Sequence, residues 1–147
     1  MHAEGISIKT KLKIFKAAVT SVLTYGSEAW RLTREAEAAI NGANARLISR
    51  ITGKSAHAEA SPRSRTFDIL NAIRKRKYEW LGHILRMDDE RLVKHAVKVQ
   101  YSNGDMSNML ADAPQTGSFH QLVKLAANRE RWKRMWTTRG NTAKITV

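Results

Sequence analysis

Apolar residues recur at intervals of three and four along nearly the whole chain and form no convincing period-two strand, which points to a fold of packed helices. The clearest run is SRTFDILNAIRKRKYEWLGHILRM, where Phe67, Leu70, Ile73, Leu81, Ile84 and Leu85 share one stripe at about 100° per residue. Arg74 and Lys77 project into the same stripe, so either their stems snorkel or the helix bends there. In the first segment Ile8, Leu12, Phe15, Val19, Val22 and Leu23 fall on one face after Ser7 as N-cap, with Lys9, Lys13 and Lys16 opposite.

The expected class is all-α, a small array of four to five helices with flexible loops at about 54–63 and 101–118. Residues 1–53 form a helical pair turning at TYGSEAW. Gly26 takes the left-handed position there, Ser27 caps the next turn near Glu28, and Tyr25 and Trp30 clamp the corner by packing. The second helix of the pair starts at Thr33 and carries Ile40, Leu47, Ile48 and Ile51 to Gly53. Residues 54–63 read as a linker into Pro62, residues 64–100 as a basic helical segment, and 101–118 as a loop rich in Gly, Asn and Ser. Within 64–100, a short helix at about 90–99 is opened by Asp88 and Asp89. A C-terminal basic helix over 119–137 places Leu122, Leu125, Trp132, Met135 and Trp136 near one face, and 138–147 is a tail.

A net charge of +13 and a pI near 10.5 point to a polyanionic partner, because solubility alone demands far less. The surplus is spread through the chain, so no detachable tail accounts for it. The absence of cysteine excludes disulfides, thiolate catalysis and zinc fingers. No stretch approaches the roughly 20 apolar residues of a membrane span, so no membrane partner is expected and the location is intracellular, nuclear or cytoplasmic.

KLKIFKAAVTSVLTYGSEAW, with RKRKYEWLGHILRM some fifty residues later, resembles the C-terminal region of reverse transcriptases from non-LTR (LINE-type) retrotransposons. The matching positions are Lys11 to Phe15, Leu23 to Trp30 and Trp80 to Arg86, with a looser third piece in LAANRERWKRMW. The resemblance covers roughly residues 11 to 136 and implies the thumb and the post-palm region. It also implies a missing palm domain of the parent polymerase as a partner. A Gly-Arg-Pro-Arg type basic segment common before the last helix of relatives is replaced here by SNGDMSNMLADAPQ.

No autonomous active site is expected, and no cofactor or metal. The polymerase signature needs an aromatic residue, any residue and two aspartates to hold metal ions. The Asp-Asp pair of LRMDDE comes after Arg86 and Met87 at a helix boundary, where helix capping is the better reading. His83 has no second ligand at helical spacing and reads as a structural histidine.

The candidate nucleic-acid contacts are three cationic tracks. Lys9, Lys13 and Lys16 lie on the first helix. Arg74, Lys75, Arg76 and Lys77 precede Trp80, for which core packing is favoured over base stacking. Arg129, Arg131, Lys133 and Arg134 lie on the last helix. Two functions remain open: a non-catalytic fragment gripping RNA, DNA or heteroduplex backbone without reading sequence, and a decayed retroelement relic or gene-model fragment with exposed apolar surface and no independent function.

Overall fold

The computed structural model describes residues 5–53, 68–105 and 110–142. The described residues hold helices and turns and no strand, so the protein is all-α. Two units divide the chain, Met1–Ile73 and Arg74–Val147. The linker read at 54–63 and the last residues of the tail lie outside the described residues.

In the first unit, α1 (Ile8–Ile14) runs through a π-helical turn at Phe15–Thr20 into the single turn α2 (Ser21–Leu23). Ser7 caps α1 as expected, its Oγ accepting from the Thr10 N–H at 3.2 Å. The π turn breaks the predicted apolar stripe. A wider turn advances the inward face by five residues where an α-helix would advance it by three or four. The buried positions therefore step from Phe15 to Thr20, Thr24 and Ser27. Val19, Val22 and Leu23 rotate outward, Val22 to 75% exposure.

The corner keeps one expected feature and loses two. Gly26 has φ 68°, where a side chain is strained. Ser27 makes no capping bond; it is fully buried, and its Oγ has no hydrogen-bond partner. Tyr25 is 83% exposed, so packing of its ring does not clamp the corner; Trp30 is 42% exposed. A Cβ at Gly26 would meet nothing within 4 Å, so Gly26→Val should cost only the backbone strain, about 1–3 kcal/mol. Chemical denaturation should register that loss before any loss of ligand binding.

α3 (Arg34–Thr52) matches the sequence reading closely. Thr33 Oγ1 accepts from the Ala36 N–H at 3.2 Å, Gly53 ends the helix at φ 70°, and Ile48 is buried with Ile40, Leu47 and Ile51 beside it. Their core partners are Phe15 and the first turn of α4 (Ile69–Leu85), through Ile69 and Ile73.

The second unit takes the rest of α4, then α5 (Leu92–Ser102), α6 (Phe119–Ala127) and α7 (Arg129–Thr142). Counting α1 to α2 as one run, the described residues contain six helical runs, above the expected four to five, because the predicted 119–137 helix is two. Asn128 makes the break. It adopts φ −88° and ψ 100°, and its Oδ1 accepts from the Arg131 N–H at 2.9 Å, capping α7.

The 101–118 segment is not a plain loop. Leu110 and Ala113 enter the core, and the Tyr101 hydroxyl donates to the Thr116 carbonyl at 2.5 Å. They join Tyr78, Leu81, Ile84, Leu85, Val97, Leu122, Ala126 and Trp132 in one cluster. Among the described residues no helix is long and apolar enough to cross a membrane.

Candidate nucleic-acid interface

The second unit is built around one close approach between α4 and α7. The rings of Tyr78 and Trp132 stack at 4.4 Å with 11° between their planes. The Tyr78 hydroxyl donates to the Trp132 carbonyl at 3.0 Å, and Trp132 Nε1 donates to the Tyr78 carbonyl at 3.2 Å. The α4 carbonyl that accepts from the indole sits next to the one position on that turn with no side chain. A Cβ on Gly82 would lie 2.4 Å from Trp132 Nε1. Gly82 is thus the notch that admits the indole against the α4 backbone.

This clamp sets two clefts along the α4/α7 seam. One, of about 380 Å³, is lined by Lys75, Tyr78, Glu79, Trp132, Lys133, Trp136 and Thr137. The other, of about 270 Å³, is lined by Glu79, His83, Arg86, Arg129, Trp132 and Lys133. Glu79, Trp132 and Lys133 belong to both, so the clefts adjoin. From Lys75 to Arg86 the seam runs along eleven residues of α4, about 16 Å at the helical rise.

Two of the predicted tracks meet here. Lys75 from α4 and Arg129 and Lys133 from α7 line the clefts; Arg76, Arg131 and Arg134 are exposed on the same two helices. Arg74 is half-buried. Lys77 is 2% exposed while α4 runs on unbroken, so it leaves the set of surface contacts, and its head does not snorkel to solvent. Trp80 departs from the favoured reading in the opposite sense: at 38% exposure it is not a core residue. Lys9, Lys13 and Lys16 are exposed on the first unit.

Arg86 and His83 are cleft residues that the cationic tracks did not include. Arg86 Nη1 donates to the Ala126 carbonyl at 2.9 Å, which satisfies the C-terminal end of α6 and fixes the guanidinium at the seam. Its Nε is buried without a partner. Burial first, and the nearby Arg129 charge second, pull Arg86 below its usual pKa. His83 is exposed, its ring 5.3 Å from that of Trp80. The signal for Arg86 was available in its spacing, since Lys75, Glu79, His83 and Arg86 lie along one helix face.

Opposing charge is sparse at the seam. Lys75 and Glu79 approach to 3.9 Å, as do Lys133 and Glu130, and both pairs are largely exposed, where such pairs contribute little. The Asp-Asp pair lies away from the clefts, in the turn between α4 and α5. Asp89 pairs with Lys94 at 2.7 Å, while Lys94 also donates to the Met87 carbonyl at 2.7 Å. The Lys94 hydrogen bond, then its charge, hold the Asp89 carboxyl below its ordinary value. α5 starts at Leu92 with no side-chain cap, so Asp89 serves the turn through Lys94 and does not cap the backbone. Among the described residues no three His, Asp or Glu side chains cluster as a metal site would require.

The chain is 33% identical over 92 residues to an uncharacterized transposon-derived protein of Caenorhabditis elegans. The match takes in 56% of this chain and 33% of that protein, so the chain spans about a third of the length of the curated relative it matches. That similarity supports a transposon-related origin. No family model matches the chain, and no solved structure does.

Proposed function

We propose that the second unit grips the backbone of RNA or DNA along the α4/α7 seam, as a non-catalytic piece resembling the C-terminal region of a retrotransposon reverse transcriptase. The observation that carries this reading is the convergence of Lys75, Arg86, Arg129 and Lys133 on adjoining clefts from helices more than forty residues apart in sequence. Cations brought together against so few carboxylates are costly unless an anion occupies the space between them. A chain of phosphates suits a seam of this length better than a single small anion. Similarity to a transposon-derived protein favours the same class of partner.

Binding is expected to fall steeply with salt. About five phosphate contacts give a log–log slope near −4 to −5, measurable by fluorescence anisotropy with a labelled oligonucleotide. Glu79 opposes phosphate in both clefts, so Glu79→Gln should tighten binding several-fold at low salt without changing the thermal midpoint. Salt-independent binding, or a Glu79→Gln variant that binds more weakly, counts against this seam.

A second reading, a relic without independent function, draws on the first unit. Ile8, Ile14, Val22, Tyr25 and Trp30 are each more than 40% exposed, a long apolar surface for a helix and the corner after it. A chain that elutes as an aggregate and binds no nucleic acid at any salt concentration would favour that reading.

A further inference from the structure

Among the described residues of the second unit, Trp80 is the aromatic side chain classed as exposed. The indole of Trp132 is 2% exposed and hydrogen-bonded to the α4 backbone, whereas Trp80 is 38% exposed on a helix rich in cations. Arg76 lies one turn before it, and His83 one turn after, with its ring centred 5.3 Å away. His83 also lines the cleft that holds Arg86, Arg129 and Lys133. An aromatic face and a cationic cleft are therefore joined through a single imidazole. We propose that this pair is a binding site for single-stranded nucleic acid, with one phosphate in the cleft against Arg86, Arg129 and Lys133 and a neighbouring base stacked on Trp80.

The choice of single strand comes from the limits of a convex helix surface. In a duplex the base faces are stacked inside, and a side chain on a helix meets phosphates, sugars or base edges. A flat indole adds little to such contacts. In a single strand each base can turn out and lie on an aromatic ring, which is sequence-tolerant because every base has a π-face. The positive charges of Arg86, Arg129 and Lys133 on one cleft give it its preference for a phosphate over a neutral group. Glu79 also lines this cleft, and its charge opposes a phosphate there.

This inference rests on the reading of the seam as a nucleic-acid surface, and the two fail differently. Anisotropy titrations of the full chain would use a single-stranded decamer and a duplex of the same sequence, with Trp80→Ala, Trp80→Phe and Arg129→Gln beside the wild type. One stacked base is worth a factor of about 5–150, so Trp80→Ala should lose affinity for the single strand by that factor and for the duplex by less than twofold. Trp80→Phe should recover most of the loss. Arg129→Gln should weaken both ligands and lower the salt slope of each by about one. Because Trp80 is at the surface, unchanged thermal unfolding of Trp80→Ala serves as the control for folding. Wild type that binds the duplex alone, or single-strand affinity that Trp80→Ala leaves intact, overturns this site while leaving the backbone-binding seam standing. Wild type that binds neither ligand overturns both.

Discussion

Gly82→Ala is expected to destabilise the second unit by about 1–3 kcal/mol or more, despite placing a better helix former inside a helix. The added methyl would sit 2.4 Å from Trp132 Nε1, 2.8 Å from Cδ1 and 2.9 Å from Cε2, all inside contact distance. The indole cannot retreat freely, because it stacks on Tyr78 and donates to the Tyr78 carbonyl, while the Tyr78 hydroxyl donates to the Trp132 carbonyl. Moving the ring strands buried polar groups, at about 1–3 kcal/mol each. The helix-propensity gain of Ala over Gly, about 1 kcal/mol, is smaller than the combined steric and hydrogen-bond loss. Urea denaturation followed by tryptophan emission should show a lower midpoint. A Trp132→Leu partner variant removes the ring that clashes, so the double variant should be more stable than the sum of the single losses predicts. A Gly82→Ala protein as stable as wild type would mean that Trp132 does not lie against this turn.

The elements closed by local chemistry were legible in the sequence. Thr33 and Gly53 bound α3 because a β-region oxygen acceptor and a left-handed glycine each satisfy orphan backbone groups without help from the rest of the fold. Ser7 and Gly26 were readable for the same reason. The notch at Gly82 was not, since the residue that fills it is fifty positions away and nothing local says which aromatic will arrive.

Register errors account for most of the rest. The stripe through Phe15, Val19 and Val22 assumes a constant turn, and one π turn is enough to exchange it for Thr20, Thr24 and Ser27. The apolar spacing of three and four carries no mark of such a turn. The break at Asn128 did have a signal, an Asn able to cap within an otherwise helical run, and it was outweighed by the apolar spacing that continues on both sides. At the candidate interface the cationic runs were found, and Arg74 and Lys77 were placed on the apolar stripe, but Lys77 was still counted as a surface contact and Trp80 as a core residue. Lys77 falls on the inward side by the same period that buries Ile73, Leu81 and Ile84, and Trp80 falls outward.

The combined variant Lys75→Gln, Arg129→Gln and Lys133→Gln is expected to lose most nucleic-acid affinity while keeping the fold. All three line the clefts, and the carboxylates paired with Lys75 and Lys133 are exposed partners at 3.9 Å that contribute little to stability. If each contact releases about 0.9 counterion and vanishes near 1 M salt, each is worth close to tenfold at 0.1 M, and three are worth about 500-fold. The salt slope should drop by about three in the same titrations. Lys9→Gln, Lys13→Gln and Lys16→Gln form the matched comparison on the first unit, with the same change in net charge. Equal losses from both triples would mean that affinity tracks total charge and that the seam has no special place in it. A loss confined to the first triple ties binding to the geometry that Gly82 and Trp132 create, and Gly82→Ala should then weaken binding in proportion to the fraction of the second unit it unfolds.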